Sequence, residues 1–266
     1  MNRIEKRVEE VLARGEKYFM CYLPMGDPDL KTSKELVNLY MRAGVDLIEL
    51  GLPSNDPYCD SQQIAESNQR SFKKEPDYKK YFETIREIRK EHPDEPLEVM
   101  AYSDFVKAYG VKNFVAELKS ADIDAHLLAD ETVVQPDVVS EMDPLLLEAG
   151  MFRVRFMPHP FDESLLSDIG SNAVGVMIMQ SFADNTGNRP YVAKENIELM
   201  KRIRATGTKT KITFAYGIRI PDHAKEAVKL GPDGILVGTA LVEGIKAGDF
   251  KALEELIRGI KKATLP

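Results

Sequence analysis

Val45-Asp46-Leu47-Ile48-Glu49-Leu50-Gly51-Leu52-Pro53, continuing as Ser54-Asn55-Asp56-Pro57-Tyr58-Cys59-Asp60, is the stretch that decides the fold. Val45 to Leu50 is short and almost wholly apolar, the pattern of a strand buried on both faces of a parallel sheet. Side chains alternate along a strand, so Glu49 is expected on the same face as Val45 and Leu47. A carboxyl is thereby aimed where apolar groups are aimed, at the carboxyl end of the strand. Burial there raises its pKa and lets it exchange protons near neutrality. The loop that follows carries two more acids, Asp56 and Asp60. Asp56, before Pro57, reads as a turn former. Asp60 has two readings: a site acid, or the N-cap of the helix that follows, with Gln63 completing a capping box.

Outward from this stretch the chain alternates. Ile4, Val8, Val11 and Leu12 have helical spacing and predict a short lead-in helix, stopped by Gly15. Tyr18–Leu23 predicts a strand, and Leu36–Met41 a helix ended by Gly44. After the Asp60 loop come helical runs including Tyr81, Phe82, Ile85 and Ile88. Further strands are expected at 97–102, 125–129 (with Asp130 at its carboxyl end), 154–157, 174–179, 212–216 and 234–237. Helical patterns separate them, and the last spans 250–261. Eight strands and at least eight helices in 266 residues, without a compositional break, predict one closed (β/α)8 barrel domain over residues 1–266.

In such a barrel the chemistry sits at the carboxyl ends of the strands, where Glu49, Tyr102 and Asp130 fall. Three late loops share a character: Ser181 to Gly187 after the sixth strand, Gly217 after the seventh, and Gly238-Thr239 after the eighth. Glycines at helix starts beside the seventh and eighth strands are a common phosphate cradle, although each also suits a plain tight turn. His92, His126, His159 and His223 are scattered and suggest no nucleophilic triad.

The bulk composition narrows the classes. With 36 basic and 43 acidic residues the net charge is −7, against a general nucleic-acid or anionic-membrane role. Two cysteines, Cys21 and Cys59, make neither a disulfide framework nor a metal cluster, so no metal is expected. Neither a signal-peptide pattern nor a membrane-spanning run is present, and a cytoplasmic location is expected.

Met25-Gly26-Asp27-Pro28, Ile48-Glu49-Leu50-Gly51-Leu52-Pro53, Asp56-Pro57 and Asp60 together resemble the alpha chain of tryptophan synthase. The resemblance continues through Tyr102, Ala129-Asp130, the 181–187 loop and the turns at Gly217 and Gly238-Thr239. It implies a (β/α)8 barrel that cleaves indole-3-glycerol phosphate to indole and glyceraldehyde 3-phosphate by a retro-aldol step. No cofactor is implied in this chain; pyridoxal phosphate belongs to a partner beta chain, in an α2β2 assembly. The catalytic pair would be Glu49, as acid and base, and Asp60, holding the indole N–H. Tyr22, Met100, Tyr102, Leu127, Ala129, Thr186 and Tyr216 would bind substrate. Gly187, Gly217, Gly238 and Thr239 would take the phosphate.

The chain also departs from that family. Ser54-Asn55 stands where Phe-Ser is usual, and Asp60-Ser61-Gln62 where Asp-Gly-Pro is usual. The closing loop reads Phe182-Ala183-Asp184-Asn185-Thr186-Gly187 in place of Arg-Ala-Gly-Val-Thr-Gly, and Ala215 replaces the first glycine of a Gly-Phe-Gly turn. Tyr22 and Tyr216 stand where phenylalanine is usual, and a buried hydroxyl must find a partner. Two competing functions follow. One is a lyase or isomerase for another phosphosugar, with Glu49, Asp56 and Asp60 holding a divalent metal. The other is a barrel kept as a binding or activating subunit for a pyridoxal-phosphate beta chain.

Overall fold

The computed structural model describes residues 1–131, 136–159, 163–181, 194–215 and 217–266. Eight parallel strands close into a barrel in sequence order: β1 Tyr18–Pro24, β2 Leu47–Gly51, β3 Leu97–Ala101, β4 Ala125–Leu128, β5 Phe152–Met157, β6 Val176–Gln180, β7 Lys211–Ala215 and β8 Gly234–Val237. Closure is made by β1, which pairs with β2 (Tyr22↔Glu49) and with β8 (Tyr18↔Gly234). Helices alternate with the strands: α1 Arg3–Ala13, α2 Leu30–Ala43, α3 Gln62–Lys74, α4 Tyr78–Glu91, α5 Ser103–Tyr109, α6 Val111–Ser120, α7 Pro136–Glu148, α8 Glu163–Asn172, α9 Lys194–Ala205, α10 Pro221–Lys229, α11 Thr239–Ala247 and α12 Phe250–Lys262. The expected (β/α)8 architecture is the observed one. No described helix is long and apolar enough to cross a membrane.

Strand alternation splits the core in two. Phe19, Cys21, Ile48, Leu50 and Val99 face outward and pack under the helices. Tyr18, Met20, Tyr22, Leu47, Met100 and Leu127 face inward. Ile4, Val8 and Val11 of α1 join the inward cluster, so the lead-in helix plugs the amino end of the barrel. The wide rings of β1 fit because their neighbours lack side chains. A Cβ on Gly51 would lie 2.3 Å from the Tyr22 hydroxyl, and one on Gly234 would lie 2.2 Å from the Tyr18 ring.

Two local expectations are corrected. Val45 and Asp46 precede β2 rather than belonging to it, and Val45 packs in the outer cluster, so Glu49 shares its face with Leu47 alone. The reason is Asp46. Its carboxylate accepts from the Phe19 N–H (2.8 Å) and the Lys261 Nζ (2.6 Å), while its own N–H donates to the Phe19 carbonyl (2.9 Å). These bonds lock a turn before the strand begins. Tyr102 likewise lies beyond β3, as the N-cap residue of α5, a helix whose separate existence the sequence pattern does not reveal.

Candidate active site

The plug at the amino end leaves the carboxyl end of the strands as the open face, and there a cavity of about 270 Å³ is found. Side chains of the strands supply one part of its wall: Tyr22, Glu49, Met100, Leu127, Phe156 and Ile178. Loop and helix-start groups supply another: Asp60, Ser61, Gly217, Arg219, Gly238 and Thr239. The site therefore joins an apolar chamber holding one carboxyl to a rim rich in backbone N–H groups.

Glu49 is buried, and its Oε1 has no hydrogen-bond partner among the described residues. Burial, and then the charge of Asp60, push its pKa up to about 8. An ordinary glutamate is ionised at neutrality; this one is mostly protonated and can act as an acid.

Asp60 is not a helix cap. Ser61 takes that place, its Oγ facing the Ile64 N–H, which frees Asp60 to turn into the cavity. The Tyr102 hydroxyl donates to Asp60 at 2.7 Å. Burial raises the Asp60 pKa to about 6, and the Tyr102 bond opposes the rise. Asp60 is thus anionic at neutrality beside a protonated Glu49. Two carboxyls with pKa values pushed apart by their surroundings are suited to different roles.

Tyr102 is itself braced. Its ring meets Tyr58 edge-on at 5.7 Å, and Tyr58 donates to Asp130 at 2.8 Å. Asp130 also accepts from the Ser103 N–H (3.0 Å) and Oγ (2.6 Å), which ties the end of β4 to the start of α5. Tyr102 and Ala129 do not line the cavity; Tyr102 reaches it through its bond to Asp60, and Ala129 packs against the interior cluster. Asp56 is exposed, and its N–H donates to the Ser54 Oγ (3.1 Å). A metal shared by those three acids does not fit this arrangement, and no group of three metal-binding side chains converges among the described residues.

The rim glycines differ from one another. Gly217 has a φ of +83°, a backbone need that explains it without any ligand. Gly238, which precedes α11, has a negative φ, and a Cβ there would meet nothing closer than 3.6 Å. Packing therefore does not require that glycine. Thr239 opens α11, with its Oγ1 3.1 Å from the Ser61 Oγ. Thr186, Gly187 and Tyr216 lie outside the described residues, as does the 181–187 loop beyond Ser181.

Three features were not anticipated from the sequence. Arg219 lines the cavity and is ion-paired with Glu243. Phe156 and Ile178 complete the apolar wall. Glu98, on β3, is a second fully buried interior acid, in register with Glu49. The same period-two argument that singles out Glu49 applies to Leu97-Glu98-Val99-Met100.

The sequence matches a known family. A family model described as tryptophan synthase alpha chain covers residues 8–264. The chain belongs to the tryptophan synthase alpha chain family. A tryptophan synthase alpha chain from a Thermoanaerobacter species is 32% identical over 98% of this chain and 96% of its own length. Another, from Caldanaerobacter subterraneus, is 28% identical over 100% of this chain and 98% of its own. Among solved structures, a tryptophan synthase alpha chain from Legionella pneumophila superposes with a TM-score of 0.86 at 22% identity, over 99% of this chain and 97% of that one. A chain of Mycobacterium tuberculosis tryptophan synthase superposes with a TM-score of 0.88, also at 22% identity, over 100% and 99%.

Proposed function

We infer that this chain is a carbon–carbon lyase that cleaves indole-3-glycerol phosphate to indole and glyceraldehyde 3-phosphate, as its family membership implies. The observation that carries the reading is a protonated Glu49 in an apolar chamber, with an anionic Asp60 beside it.

The β5 cations Arg153 and Arg155 pair with Glu131, Asp143 and Asp168, while Phe152 and Val154 of the same strand face the barrel interior.

In this reading Glu49 gives its proton to the indole ring carbon that bears the glycerol chain. The positive charge that develops at the ring N–H is held by the Asp60 carboxylate. Glu49, now a carboxylate, takes the proton of the adjacent glycerol hydroxyl. The carbon–carbon bond breaks, its electrons restore the indole ring, and the hydroxyl carbon becomes the aldehyde. Glu49 ends the cycle as it began, protonated, and these proton transfers need no cofactor in this chain.

Met100, Leu127, Phe156 and Ile178 suit the apolar ring. Gly217, Gly238, Thr239 and the start of α11 suit the phosphate, with Arg219 as an added cation. Thr186, Gly187 and Tyr216 keep their family-implied roles at substrate and phosphate. Binding the remote phosphate orients the reacting bond. A pyridoxal-phosphate beta chain that consumes the indole is the proposed partner.

The test is release of glyceraldehyde 3-phosphate from indole-3-glycerol phosphate, with and without a tryptophan synthase beta chain. Release in either condition, abolished in Asp60→Asn, supports the reading. Absence of release in both conditions overturns it.

A further inference from the structure

Glu98 has no part in the chemistry just described, yet it is placed beside it. Its Cα is the register partner of Glu49 on the adjacent strand, and it lies on the same inward face as Met100, two residues on. Glu98 is fully buried, and neither of its oxygens, nor the Glu49 Oε1, has a hydrogen-bond partner among the described residues. Paired strands run about 4.8 Å apart, so two glutamates in register can bring their carboxyls together by side-chain rotation.

The surroundings leave few alternatives. From β1, Tyr18 is committed to the Thr213 Oγ1 at 2.6 Å, and Tyr22 packs its ring on Gly51 with its hydroxyl unpartnered among the described residues. From β4, only apolar Ala125 and Leu127 face inward. Asp60, on the loop after β2, is the remaining acid, and it is held by Tyr102. Burial and the charge of Glu49 drive the Glu98 pKa well above the usual range, so Glu98 keeps its proton when Glu49 loses one.

We propose that Glu98 is a positioning residue, which donates its carboxyl O–H to the Glu49 carboxylate each time Glu49 has passed its proton to the substrate. The proposal rests on the function inferred above. Glu98 retains its own proton throughout, so the proton balance of the reaction is unchanged; only the Glu49 anion gains a hydrogen bond.

A structural role and this one predict opposite things. An unpartnered buried carboxyl costs stability, and an apolar side chain in its place is neutral or stabilising. Glu98→Val is therefore expected to unfold no earlier in urea than the wild type. Its kcat should nevertheless fall roughly ten- to a hundredfold, the worth of one hydrogen bond to a charged group, with KM unchanged. The titration of Glu49, followed by the infrared carboxyl bands and assigned with Glu49→Gln, should move upward. Glu98→Gln keeps a donor and should restore both kcat and titration. Wild-type kcat and titration in Glu98→Val would overturn the proposal. So would equal impairment in Glu98→Gln, or a loss of stability in Glu98→Val. If the wild type itself does not cleave indole-3-glycerol phosphate, the functional reading fails, and the infrared titration still decides whether Glu98 serves Glu49.

Discussion

Acids occur on both sides of the barrel wall, and the two sides treat them differently. Outside β5, Arg153 and Arg155 meet Glu131, Asp143 and Asp168. Arg153 grips Asp143 through Nε (2.6 Å) and Nη2 (2.9 Å), and the Phe156 N–H donates to Glu131 at 2.5 Å. Each acid there has a cation. Inside, Glu49 and Glu98 have none among the described residues and leave three oxygens unpartnered. The outer cluster neutralises charge by pairing, whereas the inner pair does so by retaining protons. Only the second arrangement leaves a proton available for transfer.

The sharpest way to break this contrast is to remove one member from each side. Glu49→Gln should lose about 10²- to 10⁴-fold in turnover, the usual scale of general acid–base catalysis, while its urea midpoint stays at or above that of the wild type. Arg153→Leu should do the reverse. It leaves Glu131 only the longer Arg155 contact (3.6 Å) and Asp143 without its partner, and should cost about 1–3 kcal/mol in urea unfolding, with turnover per folded molecule retained. Equal effects of the two substitutions on stability would erase the distinction.

The two sides were unequally legible in the sequence. The fold was readable because apolar strand runs and helical spacing recur along the whole chain, and boundary errors trace to local bonds such as those of Asp46. Glu49 stood out as an acid in an apolar strand. Glu98 satisfies the same rule, but its importance depends on which strand lies next to which, and in what register. That is a property of the closed sheet. The ambiguity at Asp60 was likewise tertiary: one serine later supplies the cap, and only the folded loop shows the aspartate turned inward. Arg219 follows a glycine turn and reads as a surface residue until the barrel brings it to the cavity.

A smaller effect separates the two sides by pH. An unfolded glutamate titrates near 4.5, whereas native Glu49 holds its proton to about 8. Between those values the native state binds a proton that the unfolded state has released, so stability falls as pH rises. The slope is at most about 1.4 kcal/mol per pH unit from this one group. Urea unfolding of wild type and Glu49→Gln between pH 5 and 8 should show a shallower decline in the variant. Parallel curves would mean that Glu49 is ionised in the native protein.

The smallest expected effect concerns the hydroxyl of Tyr22, which lines the cavity beside Glu49. It makes no hydrogen bond of normal geometry among the described residues; nearby Asn68 is committed to the Ser54 N–H (3.0 Å) and the Ile64 carbonyl (2.9 Å). Tyr22→Phe removes an unpartnered polar atom and keeps the ring on Gly51, so it should leave stability within about 1 kcal/mol or raise it slightly. It should also lower KM for indole-3-glycerol phosphate by a small factor, because the ring would enter a less polar chamber. A rise in KM would instead show that the hydroxyl meets a polar group on the substrate, and would place the specificity of this chain at the point where its sequence departs from its relatives.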